Sequence, residues 1–464
     1  MNLRYILIIF ATGMTSFLTT YLSSSINLAM KTIGEEYLVS PSELSMLTSL
    51  YLLFSSIFIV PFGKLSDTIG PKKTLVSGCA FFVVSNLLVS VFARDFTSLL
   101  VLRSLQGMAS SFLVVSNMPI ISMVIPQQYR VTAMGISSGL IYFGNSVGNF
   151  IGGVLTEEFG WRSIFISAAI MGGLAFFVIQ FMVPASKVER EASSGVDVAG
   201  ILFYGLALLT LQTGASRLNS LEGQLLLAGF VLFAVLFVRG QYRSANPVYD
   251  VKMFLRNKVF AAANISVLLN FFATYGTTYL LALHLQCNRG MSAVEAGGVL
   301  LLQPLMQLFV SPVAGYISDN TSAQRVSAVG MGFIAVALLI LSMISEGMPL
   351  YFIYTSVILS GIGISLFSAP KTSIILGSVP RNRKGMAAAS NSLMRSIGMQ
   401  GSMIVAGTSF LIFVGKTDGI PPSSYDEMLQ ATRLCFIIFT LFSSAAVFFA
   451  LIRKPFGKVE AVSS

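Results

Sequence analysis

The stretch GKLSDTIGPKK, residues Gly63–Lys73, separates two apolar runs that are each about as long as a bilayer requires, roughly 20 residues. It carries one carboxylate, Asp67, and ends on the paired lysines Lys72 and Lys73. Glycine at its start and again at Gly70 indicates a tight turn. Membrane composition alone does not produce a charged, glycine-bounded turn, so we interpret the segment as a functional connection between two membrane-spanning helices.

The composition excludes an ordinary soluble protein. Of the 464 residues, 55% are hydrophobic and only 10% are charged, whereas a soluble domain carries roughly 25% charged residues. The mean hydropathy of +0.80 agrees. In lipid every backbone polar group must be bonded internally, which leaves helices or closed barrels. Continuous apolar runs favour helices over the short alternating strands of a barrel, and we predict an all-α polytopic membrane protein.

The apolar runs predict fourteen membrane spans. They lie at about 5–30, 44–62, 74–92, 98–122, 134–156, 163–183, 197–214, 224–240, 259–285, 295–313, 326–345, 349–369, 386–414 and 431–452. The seventh is the shortest and begins at Asp197.

Charge asymmetry predicts the orientation. With the N-terminus in the cytoplasm, most of the 29 Lys and Arg residues fall in cytoplasmic segments and few fall in outer ones, as the positive-inside rule requires. An even number of spans then places both termini in the cytoplasm, and we expect the cell (plasma or inner) membrane as the location. The net charge of +10 reflects this bias and does not indicate a nucleic-acid partner.

A short repeat suggests how the spans are grouped. GYISD at Gly315–Asp319 echoes GKLSD at Gly63–Asp67, an offset of 252 residues, although the second copy lacks the paired lysines. Each copy follows the second span of a six-span set. We predict a six-helix bundle at 1–184, a two-helix insert with flanking loops at 185–245, and a second six-helix bundle with a short cytoplasmic tail at 246–464.

Two arginines fall inside predicted spans, where a charged side chain is costly and usually faces a partner or a water-filled cavity. Arg103 has Gln106 one turn later on the same helix face, and Arg395 has Asn391 one turn before it. We predict that these four residues line a cavity or take part in coupling. The structural alternatives are that Arg103 reaches the membrane interface along its own stem, and that Arg395 binds a carbonyl or the Asp67 segment.

Glycines recur every fourth residue in the fifth span. Gly144, Gly148 and Gly152 fall on one helix face, and Gly153 lies beside them. This spacing makes a smooth surface that a second helix can approach closely. We predict a closely packed helix pair here.

The Gly63–Lys73 segment resembles the loop between helices two and three of the major facilitator superfamily, whose pattern is G-x-L-a-D-r-x-G-r-k. The residues that fit are Gly63, Leu65, Asp67, Gly70, Lys72 and Lys73, while Thr68 and Pro71 depart from it. The resemblance implies two six-helix bundles that move between two states, with this loop as a conformational latch. Asp67 would bind a helix N-terminus or a basic side chain in one state and release it in the other. The plainer interpretation is a basic cytoplasmic turn.

Further stretches resemble the fourteen-helix drug–proton antiporter branch of that superfamily. Leu99–Ser111 is similar to its R-x-x-Q-G motif, which the family associates with proton transfer. Gly139–Leu155 is similar to the exporter signature G-x-x-x-G-P-x-x-G-G, with Asn149 in place of proline. Tyr279–Pro304 and Gly385–Gly401 also look like this branch. The resemblance implies export of small amphipathic or drug-like molecules by alternating access, driven by proton influx, with no cofactor besides the proton gradient.

The first span departs from that branch. The branch reads L-D-x-T-I-V-N-V-A-L-P, whereas Tyr21–Lys31 reads YLSSSINLAMK; Asn27 aligns and Leu22 stands at the acidic position. By this alignment Asn27 is a candidate cavity residue. No Asp or Glu lies centrally in any predicted span, although such a carboxylate normally exchanges a proton for a cationic drug. Either a carboxylate near a helix end works with Arg103 in coupling, or the substrate is neutral or anionic and is attracted by Arg103 and Arg395.

Two other classes of protein stay open. A uniporter or importer of a metabolite or organic anion is the nearer one, because Leu22 and Asn149 both depart from the exporter pattern. A membrane-embedded enzyme or sensor is more distant, since the sequence has one histidine, His284, three scattered cysteines and no long soluble segment. We expect no metal site. The expected partners are a small-molecule substrate and the lipid bilayer, with no obligatory protein partner.

Overall fold

The computed structural model describes residues 3–184, 197–218, 220–244, 247, 249, 251–379 and 384–452. Over these residues the chain forms fourteen long helices, as predicted, and one short helix. In chain order they are α1 (Leu3–Tyr37), α2 (Pro41–Ile69), α3 (Pro71–Phe92), α4 (Phe96–Val124), α5 (Gln127–Phe159), α6 (Arg162–Met182), α7 (Val198–Ala215), α8 (Leu221–Arg243), α9 (Val251–Arg256), α10 (Lys258–Leu283), α11 (Ala293–Asn320), α12 (Ala323–Ser342), α13 (Leu350–Gly377), α14 (Lys384–Phe413) and α15 (Tyr425–Leu451). Within the described residues, thirteen of the long helices are long and apolar enough to cross a membrane. The other one, α5, is rich in glycine, serine and asparagine.

Successive long helices run in opposite directions, so the turns between them fall at two ends of the molecule. We call these the Ser40 end and the Gly70 end, after one turn at each. The Ser40 end carries the turns at 38–40, 93–95, 160–161, 289–292, 343–349 and 414–424, and the Gly70 end carries those at 70, 125–126, 321–322 and 378–379. The predicted orientation would place the Gly70 end in the cytoplasm.

The turn between α2 and α3 is shorter than the sequence suggested. α2 opens with a capping box, in which the Glu43 carboxylate accepts a hydrogen bond from the Ser40 backbone, and it continues to Ile69. Only Gly70, at φ 95°, lies between it and α3. The segment predicted as a turn is therefore mostly helical, because hydropathy falls where a helix leaves the membrane while its backbone hydrogen bonds continue. The side chain of Asp67 lies outside the described part of the chain.

The two sets of six helices pack by the same scheme. In the first set α1 packs on α5 and α6, α2 on α4, and α3 on α4 and α6; in the second, α10 packs on α14 and α15, α11 on α13, and α12 on α13 and α15. This correspondence is the three-dimensional counterpart of the short sequence repeat. We call the sets the first and second bundles. They meet along two equivalent seams, α5–α11 and α2–α14.

The insert helices break this symmetry. α7 and α8 pack on each other, and α7 lies against α2 and α14, so the insert covers one of the two seams. A small apolar cluster joins α7 to α2 and α14. Its members include Leu53 on α2, Tyr204 and Leu208 on α7, and Leu393 on α14. α8 is on the periphery, because nearly all of its side chains are at least partly exposed.

Candidate functional site

Arg103 is fully buried on α4. Its Nη1 donates to the Gln106 side-chain oxygen at 2.9 Å, and its Nε donates to the Leu47 carbonyl of α2 at 3.3 Å. The guanidinium also lies 4.6 Å from the centre of the Tyr51 ring, a cation–π distance. The side chain therefore does not extend to the membrane interface, since α2 and α4 hold it inside the first bundle.

A chain of amide hydrogen bonds continues from Arg103 to α3. The Gln106 amide donates to the Asn86 side-chain oxygen at 3.0 Å, and the Asn86 amide donates to the Phe82 carbonyl at 2.7 Å. Arg103 Nη2 has no partner among the described residues, so one donor of the guanidinium stays available. Sequence reasoning missed Asn86, because an asparagine in an apolar span does not by itself indicate which helix it faces.

Arg395 is an exposed residue of α14. Its guanidinium is 4.9 Å from the centre of the Phe271 ring and is close enough to Tyr142 and Tyr275 to interact with them electrostatically. Tyr142 belongs to the first bundle, whereas Phe271 and Tyr275 belong to the second. The surroundings of Arg395 therefore come from both bundles.

Tyr275 connects the two arginines. It lies within electrostatic range of both Arg103 and Arg395. Its hydroxyl is 3.0 Å from Ser23 Oγ of α1, so this hydrogen bond crosses from one bundle to the other. Sequence reasoning missed both residues. The two residues are 252 positions apart, which equals the offset of the sequence repeat. Equivalent positions of a two-fold repeat meet on its axis, so this offset was the signal in the sequence that could have identified the pair.

Two predicted cavity residues stand apart from this group. Asn27 is buried on α1, and its side-chain oxygen has no partner among the described residues. Asn391 is half-buried one turn before Arg395. Asn270 of α10 is fully buried, and both polar atoms of its side chain lack a partner in the described part of the chain. Buried polar atoms of this kind are usually hydrogen-bonded, so water or substrate is expected to bind them.

The charge of the interior is positive. Among the described residues no Asp or Glu side chain is buried, whereas Arg103 and Lys371 are. Lys371 of α13 was missed in the sequence; its ammonium lies 5.7 Å from the centre of the Phe367 ring. A buried cation without a carboxylate partner is costly, and an anion or an electron-rich group would offset that cost.

The bundles are in contact toward the Ser40 end. The Tyr279 hydroxyl donates to the Pro41 carbonyl at 2.6 Å, and Lys31 Nζ donates to the Gln286 carbonyl at 3.3 Å. Gln286 belongs to a π-helical turn, His284–Asn288, that extends α10. The structure is thus a state closed at the Ser40 end.

The glycines of α5 face two different helices. A Cβ on Gly144 would lie 2.6 Å from the Phe17 carbonyl oxygen, and one on Gly152 would lie 2.6 Å from Ser25 Cα, so these glycines pack on α1. Gly148 lies between them, and its carbonyl accepts a hydrogen bond from Ser25 Oγ at 3.0 Å. Gly153 faces α11 of the other bundle instead, and it packs along the α5–α11 seam.

A charged cluster braces the first bundle at the Ser40 end. The Glu36 carboxylate accepts hydrogen bonds from Trp161 Nε1 at 2.6 Å and from Arg162 Nη2 at 2.7 Å. Arg162 also donates to the Tyr37 hydroxyl and the Ala93 carbonyl, both at 3.1 Å. The cluster thus joins the ends of α1, α3 and α6, and it buries Trp161 almost completely.

We expect Glu36→Gln to lower the melting temperature by a few degrees and to leave transport largely intact. The pair with Arg162 is more than one-third exposed, so solvent screening limits its contribution, but the buried Trp161 N–H would lose a charged acceptor. The three buried free cysteines provide the readout, since a thiol-reactive dye reports their exposure during heating. Glu222→Gln breaks an equally short but more exposed pair with Arg217 and serves as the control. Equal melting shifts in the two variants would contradict the prediction.

Two bundles of six helices in matching arrangement, joined by a hydrogen bond between Ser23 and Tyr275, define a membrane transporter rather than an enzyme. A family model described as Major Facilitator Superfamily matches residues 9–403, and again 263–461. The chain belongs to the major facilitator superfamily.

The relatives include two resistance proteins and a riboflavin transporter. The riboflavin transporter RibZ of Clostridioides difficile is 25% identical, over 94% of this chain and 96% of that protein. Multidrug resistance protein Stp of Mycobacterium tuberculosis is 26% identical, over 90% and 78%. Quinolone resistance protein NorB of Staphylococcus aureus is 26% identical, over 80% and 81%.

A solved structure has the same fold. A bacterial homologue of the human lysosomal transporter Spinster, crystallised in an inward-facing and unoccupied conformation, superposes with a TM-score of 0.71 over 97% of both chains, at 13% identity.

Proposed function

We propose that this protein exports small amphipathic molecules by alternating access, and that proton influx drives the export. The observation that carries the proposal is the group formed by Arg103, Tyr275 and Arg395, which draws on both bundles close to the one hydrogen bond at the repeat axis. A substrate bound there would touch both bundles at once. The two conformational states of the transporter would therefore bind the substrate with different affinities. A ligand shifts a conformational equilibrium only through such a difference.

The charges at the site favour neutral or anionic amphiphiles over cations. Arg103 has a spare donor and Arg395 is accessible. Among the described residues, the electrostatic partners of the two arginines are tyrosines and not carboxylates. Aromatic rings at Tyr51, Phe271 and Tyr275 would contact the apolar part of the substrate. The names of Stp and NorB support export, since each is a resistance protein.

The proposed cycle assigns roles to the two ends. The Gly70 end would face the cytoplasm of the cell membrane, because it carries the basic segments, and substrate would enter from there. The Asp67 segment would act as the latch that closes this end in the opposite state. Proton coupling would use a carboxylate near a helix end working with Arg103, whose hydrogen bonds through Gln106 to Asn86 join α4 to α3.

The second candidate is uptake or facilitated diffusion of a neutral heteroaromatic metabolite. The similarity to a riboflavin transporter over nearly the whole chain favours it. The lack of a carboxylate partner for Arg103 and Arg395 among the described residues favours it as well. An aromatic, polar and uncharged substrate would also fit arginines flanked by rings.

Proton flux in proteoliposomes separates these candidates. The purified protein is reconstituted with a pH-sensitive dye inside, a pH gradient is imposed, and riboflavin, a quinolone, an organic anion and an organic cation are added in turn. If the protein is an antiporter, protons move only when a substrate is added. The proton flux is then larger with the neutral or anionic compounds than with the cation. Movement of riboflavin without proton flux would support the second candidate, and exclusive transport of the cation would overturn the assignment of substrate charge.

A further inference from the structure

The insert leaves a cleft on the outside of the α2–α14 seam, at the Ser40 end. A cavity of about 170 Å³ lies between the start of α2, the end of α7 and the end of α14, and it meets a recess of about 510 Å³ at the start of α8. Farther from this end, Tyr204 and Leu208 hold α7 in an apolar cluster with α2 and α14. The cleft begins where Gln212, Ser216 and Arg217 follow them on α7.

The lining of the cleft is polar although the surrounding surface faces lipid. Ser42, Ser45 and Thr408 contribute hydroxyl groups to it. Gln212 is almost fully buried, and its side-chain oxygen accepts a hydrogen bond from the Gln400 amide at 3.4 Å. The Gln400 oxygen behind it is also buried and has no partner among the described residues. The hydroxyl groups and the Gln212 side chain offer hydrogen-bond partners to a polar occupant of the cleft.

The charges of the cleft leave one cation unmatched. Arg217 is paired with Glu222 at 2.8 Å. The Glu43 carboxylate is occupied by the Ser40 backbone N–H at 2.9 Å and hydroxyl at 2.8 Å. Lys416 lines both the cavity and the recess, and it forms no salt bridge with a described carboxylate. An anionic group would complete this set.

We propose that the cleft binds the anionic head group of an amphiphile from the bilayer leaflet at the Ser40 end, a phosphate-bearing lipid being the simplest case. Exposed apolar side chains beside the recess, Leu221 and Leu225 of α8 and Ile412 of α14, provide a surface for its chain. Occupancy depends on the state of the transporter, because Gly407 and Ser45 both line the cavity and pack against each other across the α2–α14 seam. Opening the Ser40 end would separate them. This site is distinct from the proposed substrate site between the bundles.

Quenching by brominated lipid tests the site. Leu411→Trp places an indole in the cleft, and the buried Trp161 is the only other tryptophan, so the protein without the added indole supplies the background. The protein is reconstituted in brominated phosphatidylcholine mixed with brominated or unbrominated phosphatidylglycerol. We expect the quenching to show that phosphatidylglycerol is preferred over phosphatidylcholine several-fold beside the indole at position 411. Lys416→Gln should abolish the preference, and Arg94→Gln, an exposed arginine at the same end, should keep it.

A second measurement uses the native cleft. Dodecyl phosphate is expected to raise the melting temperature of the unsubstituted protein, whereas dodecyltrimethylammonium and inorganic phosphate should not, and the shift should vanish in Lys416→Gln. Equal quenching by anionic and zwitterionic lipid would overturn the proposal. An equal shift with inorganic phosphate would also overturn it, since the site would then take a free anion. Both readouts are binding measurements, so their outcome does not depend on whether the protein exports or imports.

Discussion

The Arg103→Lys protein is expected to transport at least tenfold more slowly than the unsubstituted protein, although the positive charge is kept. The planar guanidinium reaches Gln106, the Leu47 carbonyl and the Tyr51 ring at the same time, and a lysine ammonium is a point donor that cannot reproduce this geometry. A hydrogen bond to a charged group contributes about 1.5–3 kcal/mol, and about 1.4 kcal/mol corresponds to a factor of ten. Substrate counterflow in proteoliposomes measures the loss.

Arg94→Lys is the matched control for this experiment. Arg94 lies exposed in the turn before α4, the helix that carries Arg103, so its substitution should leave the rate unchanged. Melting curves for both variants separate loss of transport from loss of folding. Counterflow by Arg103→Lys within about twofold of the unsubstituted rate would show that charge alone matters at this position, contrary to the network argument.

Gly297→Val is expected to stop transport by preventing closure of the Ser40 end. A Cβ on Gly297 of α11 would lie 2.5 Å from the Asn149 carbonyl oxygen of α5, and backbone atoms on both sides of the seam cannot move aside as a side chain can. Overpacking of this kind costs about 1–3 kcal/mol, so the equilibrium should shift about tenfold or more toward the state open at the Ser40 end. Spin labels at the exposed Glu35 and Glu346, one on each bundle, would report a longer distance.

The neighbouring glycine provides the control for this shift. A Cβ on Gly298 meets nothing within 4 Å, so Gly298→Val should keep both the spin-label distance and the transport rate. The native cysteines are buried and do not compete for the labels. If Gly297→Val also kept the native distance distribution, the contact between α5 and α11 would not control closure.

The number of long helices was predictable, because membrane span is a local property of about 20 consecutive residues. Arg103 and Arg395 could also be singled out, since a charge inside an apolar run is visible in the sequence. The extent of the Gly63–Lys73 turn was not predictable in the same way. Hydropathy marks where a helix leaves the lipid, and α2 continues to Ile69 beyond that point.

The partners of the arginines were not predictable. Tyr51 and Tyr275 are two of 15 tyrosines in a chain with 37 phenylalanines, so residue type alone did not distinguish them. Their positions beside Arg103 depend on how α2, α4 and α10 are rotated about their own axes. Ser23 and Tyr275 are the instructive pair, because the repeat offset connected them in the sequence while only the folded chain showed that they touch.

By itself the sequence determined an all-helical membrane transporter, because apolar length, the Gly63–Lys73 pattern and the charges in the spans are written in consecutive residues. Only the tertiary structure decided which side chains form the site, which end is closed and where the insert lies. Contacts such as Tyr279 with Pro41 join residues 238 positions apart. Such pairs form when rigid helices pack face to face, and the rotation that selects each face is a property of the whole assembly rather than of any one span.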